Sequence, residues 1–449
     1  MLFLQPMKKR LSLKIALGFF TAFQCSFAQV FIPENKQQIL EKIDVNYDFQ
    51  VDLLEGKYKS KIKKEYKKRK ELIVEAFLDS TFIFDNKYSN FITSIVGEVK
   101  VKNPTINQTE DLIFMNRHLD PNASCFGNNT FMFNLGLFHF LENEDEFAFI
   151  VCHELAHQYL NHVNESVKIR VEKLNSKEYK RKIRDARLTI YGRNKAGMKL
   201  LKELSYGFLK NSRVKEYEAD SLGLIFFQKT KYNASASYKA LSRLKTFDDG
   251  IFNTNIKIDS IFNFNEYKFK NYWLEEEETL FDIEEKVDDL KWWEKDSIKT
   301  HPDIENRIKK LKSSVSKASN NSVSFEDLKA YAFKDQINTL LYFNQLDLAF
   351  YLLLEKIQQG NTSDFLITKL AQALQKTYIT KSEHIFGERI PQSSPFATEK
   401  NLNALRTFLH NLEIKDVRKI GFYFCQEYAN KIKSEEFTQI NQFFTKLNQ

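Results

Sequence analysis

The stretch FIVCHELAHQYLNH, residues 149–162, constrains this chain more than any other, because it sets three of the eight histidines within one apolar, helix-forming run. In a helix, His153 and His157 are four residues apart and lie on one face, so two imidazoles can reach one metal. Glu154 falls about 100° round, at the edge of that face, where it can touch a metal-bound water without ligating the metal. This is the H-E-x-x-H arrangement for zinc plus a general base. His162 lies about 180° round the helix from His153, so it cannot share that metal and is set aside as a structural histidine. Cys152 lies about 100° off the metal face and is expected to be a small buried hydrophobe. Asn143 is the expected N-cap, with Glu146 returning the bond.

Two histidines leave a catalytic zinc one protein ligand short. The nearby extension that would supply a third histidine fails, because Leu160 and Val163 stand where Gly and His are needed. EYEAD, residues 216–220, offers a better source. Glu216 and Asp220 share one helix face, with Ala219 and Gly223 on the same stripe, so this helix can approach the first closely. Glu216 can ligate zinc, and Asp220 can accept the second N–H of a ligand histidine and fix its tautomer. Glu218 points elsewhere and is expected to be solvated or salt-bridged.

The combination resembles the HtpX-like zinc metallopeptidases, a gluzincin family. The likeness extends upstream through PNASCFGNNTFMFNLGLFHFLENEDEFAFIV, then through SRVKEYEADSLGL, with Arg213 and Glu216 in order, and on to THPDIENRIKKL. It spans roughly residues 75–312. It implies an α+β, zincin-like catalytic domain with a small sheet and active-site helices. It also implies one zinc held by His153, His157 and Glu216, with Glu154 as general base and Asp220 as the partner of a ligand histidine. His301 and Arg307 match positions that lie close to the active site in the family. For His301 three readings stay open: an oxyanion stabiliser, an alternative metal ligand that blocks water, or a capped turn before a helix. Many family members carry internal membrane helices and this sequence has none, so it looks like the soluble exported branch, which often bears a tetratricopeptide tail.

Export is also legible at the N-terminus. Lys8, Lys9 and Arg10 precede a short apolar run, and Ser26-Phe27-Ala28 offers a small-x-small cleavage site, so residues 1–28 are expected to be a signal peptide. An uncleaved anchor is the alternative. Removing this segment lowers the formal charge from +8 to +4, too little to argue for a nucleic-acid partner. Cys125, Cys152 and Cys425 then remain, an odd count that argues against a disulfide-framework fold and leaves room for one bridge. The basic run 57–70 is expected to be the solvated face of a long helix.

The catalytic domain is expected over residues 29–315, a linker near 313–324, and an all-helical, tetratricopeptide-like domain over 325–449. Residues 111–117 and 129–135 are expected to be short strands flanking a turn-like stretch, HLDPNASCFGN, and a further helix is expected to begin near Asn211 or Ser212. Thr130, Phe131, Met132, Phe133 and Asn134 form the expected edge strand on which an extended polypeptide substrate would pair. The functional expectation is a periplasmic zinc metalloendopeptidase that cleaves unfolded or misfolded cell-envelope proteins, its C-terminal helices meeting substrates or outer-membrane assembly proteins. The competing reading is a helical-repeat adaptor or chaperone with a structural or degenerate zinc site. The intact Glu154 argues against that reading, since a structural site needs no general base.

Overall fold

The computed structural model describes residues 33–106, 108–188, 193–248, 252–275, 304–312, 323–394 and 399–449. The expected signal peptide, His301 and most of the expected linker lie outside them. The N-terminal half runs α1 (Lys36–Asp52), α2 (Lys59–Leu78), β1 (Phe82–Ile83), α3 (Asn86–Lys102), β2 (Leu112–Asn116), β3 (Ala123–Gly127), β4 (Thr130–Asn134) and α4 (Gly136–Phe140). The site helices follow: α5 (Glu144–Tyr159), α6 (His162–Asn175), α7 (Lys177–Leu188), α8 (Arg193–Gln228) and α9 (Ala236–Asp248), then α10 (Ile258–Ile261) and α11 (Ile304–Lys312). The tail is all helix: α12 (Val323–Tyr342), α13 (Leu346–Gln358), α14 (Asp364–Ser382), α15 (Phe386–Arg389), α16 (Lys400–Asn411), α17 (Ile414–Tyr428) and α18 (Glu435–Asn448). The α+β expectation holds for the first part of the chain. No helix among the described residues is long and apolar enough to cross a membrane.

The sheet has the order β1-β2-β4-β3. β2 and β4 pair in parallel, Leu112 opposite Thr130, while β3 and β4 form an antiparallel hairpin. Its turn is Asn128-Asn129, both in the left-handed region at φ 56° and 54°, a conformation that asparagine tolerates better than most residues. This order corrects one expectation. Thr130, Phe131, Met132, Phe133 and Asn134 are flanked on both sides and form an interior strand. The edges are the two-residue β1 and β3, and the half-exposed Ala123–Gly127 of β3 lies within the stretch whose sequence looks like a turn. At the start of α4, only glycine fits at position 136, since a Cβ there would stand 1.8 Å from the Leu119 carbonyl oxygen.

The helices also differ from expectation at two places. α8 runs unbroken through Asn211 and Ser212, so neither caps a helix. α5 stops at Tyr159, and Asn161 at φ 54° turns the chain before α6 restarts at His162. The basic run 57–70 leads into α2 and forms its first half, with seven of the nine basic side chains exposed.

Two large apolar cores form, and they do not part at the expected boundary. One gathers α3, the sheet, α5, α8, α9 and α11, and takes in Phe325 and Ala332 of α12. The other is built from the tail helices, and takes in Phe252, Phe262, Phe264 and Trp273 from the chain upstream. α12 thus belongs to both, and the buried Tyr88 hydroxyl of α3 donates to Asp335 of α12 at 2.9 Å. Cys125, Cys152 and Cys425 are all free thiols.

Candidate active site

α5 begins where the sequence says it should: Asn143 Oδ1 accepts from the Glu146 N–H at 2.9 Å. The Glu146 carboxylate reaches back one residue further than expected, to the Glu142 N–H, and is held by Arg243 Nε at 2.8 Å. One side of α5 is packed into the core through Phe147, Phe149, Val151, Cys152 and Leu155, which leaves the histidine face turned towards α8. Buried among apolar atoms, the Cys152 thiol is pushed well above its ordinary pKa.

The two helices meet closely because α8 presents small residues. Ala219 is fully buried, and a Cβ on Gly223 would come within 3.1 Å of His153 Cα. Glu216 therefore stands directly across from the histidines. His153 Nε2 lies 3.0 Å from His157 Nε2 and 3.5 Å from Glu216 Oε2, and His157 Nε2 lies 3.5 Å from Glu216 Oε1. These donors converge as one candidate metal site. Nitrogen and oxygen ligands about 2.0–2.1 Å from zinc at tetrahedral angles stand about 3.3 Å apart, so spacing and donor chemistry both fit that ion.

A shell of charge holds these three side chains. Asp220 Oδ1 lies 2.9 Å from His153 Nδ1, on the side of the ring away from the convergence point. Arg307 of α11 donates to Asp220 through Nε at 2.6 Å and Nη2 at 2.8 Å, and its Nη1 lies 3.1 Å from Glu216. Burial works against charge on both carboxylates, yet His153 and Arg307 hold Glu216 well below the usual carboxylate range, and Asp220 is likewise lowered. Burial also works against protonating His153, but its bonds to Asp220 and Glu216 raise it to about 10. His157, buried and facing His153, is lowered to about 3. The same two carboxylates that draw a proton to His153 would favour a dication in its place, with release of that proton.

Glu154 sits beside this cluster and outside the donor set. Its Oε2 accepts the Cys125 N–H of the edge strand at 2.7 Å. Pro121, Ala123, Leu137, Ile150, Leu241 and Leu244 wall a small recess shared with His153, Glu154 and Arg307. Burial there raises the Glu154 carboxyl to about 7, with Glu216 adding to the shift and His153 opposing it.

The structure thus brings together His153, Glu154, His157, Glu216, Asp220 and Arg307, with Arg307 bonded to the carboxylates and lining the recess beside Glu154. Two participants were missed, the Cys125 N–H and His162. The Cys125 N–H belongs to a strand whose sequence reads as a turn. His162 stands 3.0 Å from His157, Nδ1 to Nδ1, and its Nε2 lies 3.1 Å from Glu218. The helix break at Asn161 puts His162 there, and an asparagine four residues past the second motif histidine was the one signal for that break.

No curated protein sequence matches the chain. The family model of Peptidase family M48 matches residues 90–315, just over half of the chain. That span runs from within α3 to just beyond α11 and contains every side chain of the cluster. The chain belongs to this family of metallopeptidases.

Proposed function

We propose that this metallopeptidase is a zinc-dependent endopeptidase that cleaves extended segments of unfolded or misfolded cell-envelope proteins. The observation that carries the reading is the position of Glu154, buried beside the three-ligand cluster and tied to an edge strand. His153, His157 and Glu216 would hold the ion. When bound, zinc supplies a Lewis acid that polarises a peptide carbonyl and acidifies water. Glu154 takes the proton of the attacking water and passes it to the leaving amine, a role suited to a carboxyl raised to about 7. Asp220 orients the His153 ring, and Arg307 keeps Glu216 and Asp220 ionised and in place.

β3 supports the extended-substrate reading. An added strand can pair with an exposed edge through main-chain bonds while reading little side-chain sequence. The far half of that edge is covered, since Arg69 Nη2 donates to the Phe126 carbonyl at 3.0 Å. Pairing therefore favours the half around Ala123–Ser124, next to Glu154. The leader-like residues 1–28 support action outside the cytoplasm, and the helical tail supports capture of protein substrates.

The test is digestion of unfolded casein and of a folded control protein by the zinc-loaded full chain, with the fragments sequenced by mass spectrometry. Internal cleavage of the unfolded substrate alone is expected. Removal of terminal residues only, or equal cleavage of the folded control, would overturn the endopeptidase reading.

A further inference from the structure

Each ligand histidine has a partner on its other ring nitrogen, and the two partners differ. For His153 it is the buried Asp220. For His157 it is another imidazole, His162, at 3.0 Å between Nδ1 atoms, with the rings nearly perpendicular at 74°. His162 is itself anchored by Glu218, whose side chain is 54% exposed. The His162 backbone is fixed as well: Lys215 Nζ of α8 donates to its carbonyl oxygen at 2.7 Å and to Ser166 Oγ at 2.7 Å.

The proton arrangement follows from the atoms. A metal at His157 Nε2 requires that nitrogen to be bare, so neutral His157 carries its proton on Nδ1. That proton points at His162 Nδ1, which must therefore accept. Neutral His162 then carries its own proton on Nε2, directed at Glu218. Each bond fixes the next, and only one set of tautomers satisfies all three groups.

Resting on the metal-site reading above, we propose that His162, held by Glu218, is the positioning residue for the metal ligand His157, and that zinc affinity depends on this chain of contacts as well as on the three ligands. It locks the His157 tautomer and ring orientation, as carboxylate partners do for ligand histidines elsewhere. Because the chain ends in an exposed carboxylate, this half of the site is reached from the surface, whereas the Asp220–Arg307 half is sealed in the core.

The experiment is zinc competition against a chromophoric chelator on the full chain, comparing wild type with His162→Phe, His162→Gln, Glu218→Gln and Glu216→Gln. His162→Phe removes the acceptor and should weaken zinc binding by about tenfold to a hundredfold. His162→Gln restores an acceptor oxygen and should recover most of that loss. Glu218→Gln, at an exposed position, should weaken binding by about threefold to tenfold without altering the thermal midpoint of the metal-free protein. Wild-type affinity in His162→Phe, with Glu216→Gln defective, would overturn the proposal and leave the metal site standing. Equal weakening by Phe and Gln, with none from Glu218→Gln, would assign His162 to structure alone and overturn it too. Unchanged zinc binding in Glu216→Gln would overturn the metal site itself.

Discussion

Arg307 grips Asp220 through two parallel bonds, Nε at 2.6 Å and Nη2 at 2.8 Å, with both side chains nearly inaccessible to water. Its remaining nitrogen faces Glu216 at 3.1 Å, so one guanidinium balances two carboxylates on a single face of α8. Removing it would leave two buried charges short of compensation, a change that costs about 3–5 kcal/mol. Arg307→Met should therefore lower stability by that order in denaturant unfolding. Arg307→Lys should recover only part, because an ammonium cannot reproduce the fork. A near-neutral Arg307→Met would show that α11 is not what holds these carboxylates.

Gly223 sets the distance between α5 and α8. A methyl group there would press on backbone atoms of His153 and Cys152 at 3.1–3.2 Å, none of which can swing aside. Gly223→Ala gains up to about 1 kcal/mol of helix propensity and meets about 1–3 kcal/mol of overpacking. Stability should thus change little or fall modestly, while zinc affinity should fall clearly as α8 moves off α5 and carries Glu216 with it. Chelator competition alongside thermal unfolding separates the two effects. Unimpaired zinc binding would mean the helices have slack.

His139 on α4 reports on the packing of the tail. Burial, reinforced by Lys356 of α13 and Lys329 of α12, lowers it to about 4. The unfolded chain protonates histidine near 6.5. Between those values the unfolded state takes up a proton that the native state refuses, so stability is full above about 6.5 and is lost as pH falls towards about 4. Replacing His139 by Gln should flatten this part of the pH–stability curve. Identical curves for wild type and His139→Gln would mean that the tail does not bury this ring.

Much of the centre was legible in the sequence because helical periodicity is rigid. His153 and His157 at i and i+4, Glu216 and Asp220 likewise, and the small stripe of Ala219 and Gly223 all rest on the same 3.6-residue repeat. What escaped depends on where elements stop and how they assemble. Asn161 ends the regular repeat, and only that break lets His162 swing under His157. The edge strand was misassigned because large apolar residues mark interior strands: β4 is nearly all buried, while β3 is half-exposed and built mostly of small residues. The division of the chain into two domains was blurred for a similar reason, since nothing local in Phe262 or Trp273 says which core they join.

The proposed division of labour has Glu154 moving the proton while His153, His157 and Glu216 hold the ion. It is tested most directly by measuring zinc content and casein cleavage on the same preparations of wild type and Glu154→Gln. Full zinc content is expected in both, with a fall in kcat/KM of about 10²–10⁴-fold in the variant, the span a general base contributes. Zinc-loaded Glu154→Gln that cleaves at the wild-type rate would contradict it.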